Sequence, residues 1–352
     1  MKKFNKGINY YMLHSSEVLI QMKNDKTFLL EETKSNKTFE YLFENKIIPY
    51  GAHVLMLIND DEKKWSTIHQ SYEKRNLIIL EETRRIFKRF SDRLHNIFLF
   101  ENFGTILSIN ACLACFSSGD IDLSANPKDY YEIEKCMLEL GYVKEIRRGV
   151  PDSIMTTFSK QKLLENKDFY VNFEWKPIAR RYVKNMSNLH NRLEQFRKEN
   201  IKVLDNGIKV LSNEALLYFN LLHVSIGHYY NTSPGIRLYA DVDRLIRHTK
   251  DIDFKRLFTW AEEDKQSIRI FTTLKLAEEI LNTPIQDCSQ FVTKQTSKYS
   301  KKIIRYLWDV SSNSYINKTS ILNQWKIDSM SEGMNLVKYA CLRLIKLNRV
   351  KL

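Results

Sequence analysis

Residues 116–125 read FSSGDIDLSA, and how they are read decides the fold. Asp120 and Asp122 alternate with Ile121 and Leu123 directly after a Ser-Ser-Gly turn. Polar and apolar residues alternating at period two predict a half-buried strand, with the two aspartates on one face and the two aliphatic side chains on the other. Carboxylates two residues apart on a strand are separated by about 7 Å. In a partly buried place they repel, and a divalent cation removes the repulsion; Mg2+ takes one or two carboxylates together with phosphate oxygens. The turn in front, Ser117, Ser118 and Gly119, offers two hydroxyls and a flexible backbone whose amides can approach a phosphate.

Outward from this strand the signals alternate between strand and helix. NIFLF (96–100) suits a buried strand, and FGTILSINACLACF (103–116) predicts a helix of small residues. After the acidic strand, Asn126 is a good N-cap, Pro127 fits the first helical position, Tyr130, Ile133, Met137 and Leu140 share a side, and Gly141 can close the C-terminus. Three more strands are expected at 142–146, 154–158 and 169–175, with a charged loop, KQKLLENKD (160–168), before the last. In FYVNFEWKP (169–177) Tyr170, Asn172 and Glu174 share one face. Two-metal chemistry wants a third acid to bind a second ion or take a proton, which makes Glu174 the candidate and Asn172 an auxiliary polar ligand.

The flanks are helical in pattern. In WSTIHQSYEKRNLIILEETRRIFKRFSDRL (65–94), Tyr72, Leu77, Leu80, Ile86, Phe90 and Leu94 recur at helical intervals, so this segment is assigned packing and no chemistry. Glu81, Glu82, Arg84, Arg85, Lys88 and Arg89 form its expected solvated, ion-paired face. From about residue 182 helices return, including 213–230, where His223 and His228 stand five apart, a spacing that does not align them on an α-helix. They are either hydrogen-bonded core-edge histidines or substrate contacts. Arg237 and Asp241, four apart, suit a helical ion pair. The expected fold is therefore α+β: a small mixed β-sheet covered by helices, divided into an N-terminal helical region (1–95), a core (96–180) and a C-terminal helical domain (181–352).

Composition narrows the class. The 352 residues carry 43% hydrophobic and 12% aromatic residues with only 10 Gly and 6 Pro, which excludes a disordered chain or flexible linkers. No segment has the uninterrupted apolar length of a signal peptide or a membrane span, which predicts a cytoplasmic protein. The formal charge of +13 attracts polyanions, although Lys-rich chains of this kind also arise without such a partner, and the cations are dispersed. Arg147 with Arg148, and Arg180 with Arg181, are short basic pairs suited to RNA backbone contacts or to solvated turns. Of the five cysteines, Cys112 and Cys115 form a C-x-x-C, but no second pair follows in the sequence to complete a zinc site, so buried reduced thiols are expected. There is no Walker loop, G-x-G-x-x-G, G-x-S-x-G or kinase signature, which leaves P-loop hydrolysis, dinucleotide redox chemistry and serine hydrolysis without support.

FSSGDIDLSANPKDYYEIEKCMLELGY (116–142) resembles the metal-binding strand and following helix of the polymerase-beta-like nucleotidyltransferase superfamily, in particular a poorly characterised bacterial branch. LLHVSIGHYYNTSPGIRLYADVDRLIRH (221–248) is similar to that branch's downstream helical block. The resemblance implies transfer of a nucleoside monophosphate from an NTP to an acceptor, with Mg2+ (or Mn2+) as the cation. It carries Asp120 and Asp122 over as metal ligands, makes Arg237 a phosphate contact and sets Asp241 in the cleft wall. Family members often place a carboxylate at the Asn172 position and a His-Trp at Glu174-Trp175, so Glu174 as third acid rests on its strand face, as Ser117, Ser118, Gly119, Asn172 and His223 rest on their own local pattern. An acceptor such as a sugar, small molecule, peptide, protein or RNA end is implied without being specified. The branch's Lys-Gly falls at Glu101-Asn102 and its Arg before the acidic pair falls at Phe116, with Gly104-Thr105 an approximate stand-in for the Gly-Ser used elsewhere. Those departures leave open a diverged module that binds nucleic acid or a partner protein without turnover. A helical interaction protein with an incidental D-x-D is the third alternative.

Overall fold

The computed structural model describes residues 42–350 apart from residues 44–45, 59–62, 92–93, 95, 147–151, 165–166, 176–182, 184, 232–235, 251, 287 and 312–320. The described chain forms two compact units, one of residues 42–180 and 190–216, the other of residues 183–189 and 217–350.

The first unit is organised by the acidic strand. Helices α1 (Ile48–Ile58) and α2 (Lys63–Phe90) lead to β1 (Phe98–Phe100), α3 (Glu101–Ser108), a 3-10 turn (Leu113–Cys115) and β2 (Asp120–Ser124). Then come α4 (Tyr130–Glu139), β3 (Val143–Glu145), β4 (Met155–Leu164), β5 (Lys167–Glu174), the part of α5 (Met186–Glu199) from His190 on, β6 (Ile201–Val203) and β7 (Lys209–Leu211). The strands form one mixed seven-stranded sheet in the order β3-β4-β5-β2-β1-β7-β6. β2 lies at its centre, parallel to β5 and antiparallel to β1.

The two faces of the sheet differ as the period-two pattern dictates. Ile121, Leu123, Phe158, Val171 and Phe173 are buried in one cluster with Ile79, Ile86 and Phe90 of α2 and Ile133, Cys136 and Met137 of α4. Burial of side chains of this size contributes roughly 1.5–3 kcal/mol each, which makes this face the unit's core. Asp120, Asp122, Asn172 and Glu174 occupy the opposite face. The capping of α4 is as the sequence predicts: the Asn126 side chain accepts from the Lys128 N–H, Pro127 follows, and Gly141 adopts φ +82°. Gly104 is required by packing, because a Cβ there would lie 3.0 Å from the Leu99 carbonyl oxygen where α3 closes on β1.

Several local expectations change. The helix expected over 103–116 ends at Ser108, because Asn110 turns into the left-handed region (φ 51°) and a separate 3-10 turn follows. The charged loop 160–168 is mostly strand: β4 runs on to Leu164 and β5 starts at Lys167, with a register shift between Lys160 and Leu164 where Lys162 adopts φ 55°. Segment 201–211, expected among returning helices, adds β6 and β7 around an Asp205-Asn206-Gly207 turn, a hairpin signal of the kind that favours positive φ. On α2 the inward stripe runs through Trp65, His69, Asn76, Ile79, Thr83, Ile86 and Phe90, leaving Leu77 exposed. Glu82, expected in the solvated face, is 7% exposed and accepts from Lys160 Nζ at 2.6 Å and Tyr142 Oη at 3.1 Å.

The second unit is helical: the C-terminal part of helix α6 (Asn213–Leu222), a π-turn (His223–Gly227), then α7 (Ile236–His248), α8 (Phe254–Glu263), α9 (Ser267–Leu281), α10 (Lys294–Ser311), α11 (Ile321–Ser331) and α12 (Leu336–Val350). Its most buried ion pair joins Arg269 of α9 to Glu332 at 2.8 Å and to Asp328 at 3.4 Å. None of the described helices is long and apolar enough to cross a membrane.

Candidate active site

Parallel pairing of β2 with β5 sets Asp120 beside Tyr170, Asp122 beside Asn172 and Ser124 beside Glu174. Side chains in register on adjacent parallel strands share a face, so the six form a ladder of neighbours on the polar side of the sheet. The sequence pattern anticipated each strand's own face, and the register adds which residue meets which. Asn172 Nδ2 donates to Asp122 Oδ1 at 2.9 Å and to Asp120 Oδ2 at 3.1 Å. Its own Oδ1 accepts from Thr157 Oγ1 at 2.9 Å, from the next strand along, which fixes which end of the amide faces the acids. Asn172 thus bridges the aspartates. Glu174 stands one pleat further on, in register with Ser124.

Two carboxylate oxygens hydrogen-bonded to one amide nitrogen lie no more than about 6 Å apart, and at an effective dielectric near 20 that repulsion is about 3 kcal/mol. Each hydrogen bond to a carboxylate returns about 1.5–3 kcal/mol. Asp120 receives a further one from Ser118 Oγ. The repulsion is therefore offset, and the two side chains are held in defined orientations. That donor set, hard oxygens on a rigid strand, fits Mg2+ or a similar cation.

The turn before the strand is fixed from α2. Asn76 Nδ2 donates to the carbonyls of Leu113 at 2.7 Å and Phe116 at 2.9 Å, and Arg75 donates through Nη2 to the Ser118 carbonyl. Ser118 in turn holds Asp120, so a run of hydrogen bonds connects a helix to the first acid. Arg75 also lies over the Tyr72 ring at 5.2 Å and the Phe116 ring at 5.9 Å. Burial pulls the Arg75 guanidinium down from its ordinary value while Tyr72 and Asp120 pull it up, and it stays a cation. α2 was assigned packing alone on the sequence, yet it delivers a guanidinium to the place where Phe116 replaces an expected Arg. An arginine 45 residues before Asp120 gives no local signal.

Ser117 Oγ is buried with no hydrogen-bond partner, and a Cβ added at Gly119 would meet nothing within 4 Å, so the turn opens on space. At the far end of β2, buried Arg197 of α5 donates to Ser124 Oγ and to the Ala125 carbonyl, both at 2.7 Å. Glu101, at the turn from β1 into α3, has φ 59°. A non-glycine residue in that conformation costs on the order of 1 kcal/mol, and Glu101 follows Phe100, the antiparallel partner of Asp122.

Arg237, Asp241 and His223 are in the other unit: Arg237 half-buried and Asp241 buried on α7, His223 in the π-turn. An ion pair of the expected four-residue spacing forms on α7 between Arg247 and Asp243, at 3.0 Å. His223 Nε2 lies 2.9 Å from His228 Nε2. The five-residue spacing, out of line on an α-helix, is brought into line by a π-turn, whose i→i+5 bonding widens the coil. Arg147, Arg148, Arg180 and Arg181 lie outside the described residues.

A family model described as uncharacterised nucleotidyltransferase matches residues 37–282, which includes the whole acidic sheet and extends through α9. A search of curated proteins found no match to the sequence.

Proposed function

The chain belongs to the uncharacterised nucleotidyltransferase family, and on that premise we propose that it moves a nucleoside monophosphate from an NTP to an acceptor hydroxyl at the Asp120–Asp122 pair. The observation that carries the proposal is the bridging amide of Asn172, which aligns the two acidic side chains on the polar face of the sheet. Mg2+ or Mn2+ held by Asp120 and Asp122 would supply charge neutralisation for the phosphates and the departing pyrophosphate. The chain's own groups account for the rest. The Ser117-Ser118-Gly119 turn receives a phosphate over the open space at Gly119. Glu174, on the same face one pleat beyond Asn172, takes the acceptor's proton as the hydroxyl oxygen bonds to the α-phosphorus and the bond to the bridging oxygen of pyrophosphate breaks. Arg75 holds the turn in place and adds positive charge near Asp120.

The test is incubation of the protein with α-labelled NTPs, Mg2+ and a cell extract, beside an Asp120→Asn/Asp122→Asn variant. Label should reach an acceptor with the wild type alone. No transfer by the wild type, or transfer undiminished in the variant, would overturn the proposal. Salt-dependent RNA binding that survives the double substitution would instead favour a module that has lost turnover, as the residues at Glu101-Asn102 and Phe116 suggest.

A further inference from the structure

His53 of α1, His69 of α2 and Cys112 before the 3-10 turn bring one ligand atom each close together. His53 Nδ1 lies 3.2 Å from His69 Nε2, His69 Nε2 lies 3.4 Å from Cys112 Sγ, and the three atoms are all within 4.8 Å of one another. Around a tetrahedral Zn2+, with bonds of about 2.05 Å to nitrogen and about 2.3 Å to sulfur, neighbouring ligands stand about 3.3 Å (N to N) and about 3.5 Å (N to S) apart. Both edges agree to within about 0.2 Å. Hydrogen bonding alone accounts for this poorly, because His69 Nε2 has one proton or one lone pair and faces two partners.

The loop also folds around the Cys112 sulfur. The backbone N–H groups of Ala114 and Cys115 donate to the Cys112 sulfur, and the turn closes with the Cys115 N–H on the Cys112 carbonyl at 3.0 Å. The wholly buried Cys115 thiol is hydrogen-bonded to the same sulfur, which offers a further thiol next to Cys112 as the candidate fourth ligand. Nitrogen and sulfur donors select zinc over Mg2+ or Ca2+.

We infer that His53, His69, Cys112 and Cys115 form a structural zinc site that clamps α1 and α2 to the loop entering the acidic strand. The site is separate from the carboxylate pair and does not rest on the proposed transferase activity. Its consequence reaches that pair through the backbone: the loop it fixes is the one whose Leu113 and Phe116 carbonyls bind Asn76 and whose Ser118 holds Asp120.

The test uses the full chain, expressed with added zinc and purified without chelator, with metal content read by mass spectrometry and the stripped protein titrated with Co2+. The wild type should carry about one zinc per chain, and Co2+ should produce a thiolate-to-cobalt charge-transfer band with the intense visible bands of four-coordination. His53→Ala and Cys112→Ser should each weaken binding by at least about tenfold, and Cys115→Ser should weaken it too. Asp120→Asn/Asp122→Asn should retain the metal in full, which separates this site from the carboxylates. A wild type with neither zinc nor the cobalt bands would overturn the inference without recourse to any variant, as would undiminished binding in both His53→Ala and Cys112→Ser. Undiminished binding in Cys115→Ser would overturn the assignment of the fourth ligand.

Discussion

Asn172 is the register partner of Asp122 and donates to its Oδ1 at 2.9 Å, while the same nitrogen reaches Asp120. An amide in that position stabilises the acids without a cation. Asn172→Asp removes the donor and adds a third negative charge, so in EDTA the variant should lose about 1–3 kcal/mol of stability. Adding Mg2+ should raise its melting temperature more than that of the wild type. Thermal unfolding with and without Mg2+ reads both, and equal responses would count against a cation at this face.

Arg75 touches the Ser118 carbonyl, sits beside Asp120 and covers the Phe116 ring at the edge of the core, where a methionine of similar length can replace its stem. Arg75→Met should keep the fold by circular dichroism and raise the Mg2+ concentration needed for half-maximal transfer by about 10–100-fold, the usual range for a group that orients ligands. An unchanged Mg2+ dependence would reduce Arg75 to a surface contact.

Two glycines near the acidic strand should behave oppositely. Gly104→Ala forces a Cβ to 3.0 Å from the Leu99 carbonyl oxygen, backbone that cannot step aside, and should cost about 1–3 kcal/mol in urea unfolding. Gly119→Ala meets nothing and should leave stability within about 0.5 kcal/mol. If a phosphate uses the space over that turn, Gly119→Ala should still raise the KM for NTP. Loss of stability at Gly119, or full activity with unchanged KM, would refute the corresponding half.

Burial pushes the Asp243 carboxyl up to about 6 from its ordinary 3.8, with Arg247 and Thr283 pulling it back. The folded chain therefore binds this proton more tightly than the unfolded chain. The resulting stability is fully present below the unfolded value and is lost as the pH rises through the folded one. Stability of the wild type relative to Asp243→Asn should accordingly fall by about 3 kcal/mol between about pH 4 and about pH 7. Denaturant melts of both proteins across that range would show it, and parallel curves would contradict it.

Much of the acidic strand was legible in one dimension, because strand periodicity is local. DIDL states which side chains share a face, FYVNFE states the same for its own strand, and the Asn126-Pro127 start and Gly141 stop of α4 are capping signals that act within a few residues. What no local pattern contains is the register between strands far apart in sequence. Pairing β2 with β5 put Asn172, and not Glu174, directly beside the aspartates. Packing of α2 on the sheet brought Arg75 to the turn and buried Glu82 against Lys160 and Tyr142. Two histidines from separate helices likewise met a C-x-x-C that has no second pair in the chain. The residue types and their local faces follow from the order of amino acids; the constellations follow from long-range burial, whose energy depends on which surfaces meet and is written in no single stretch.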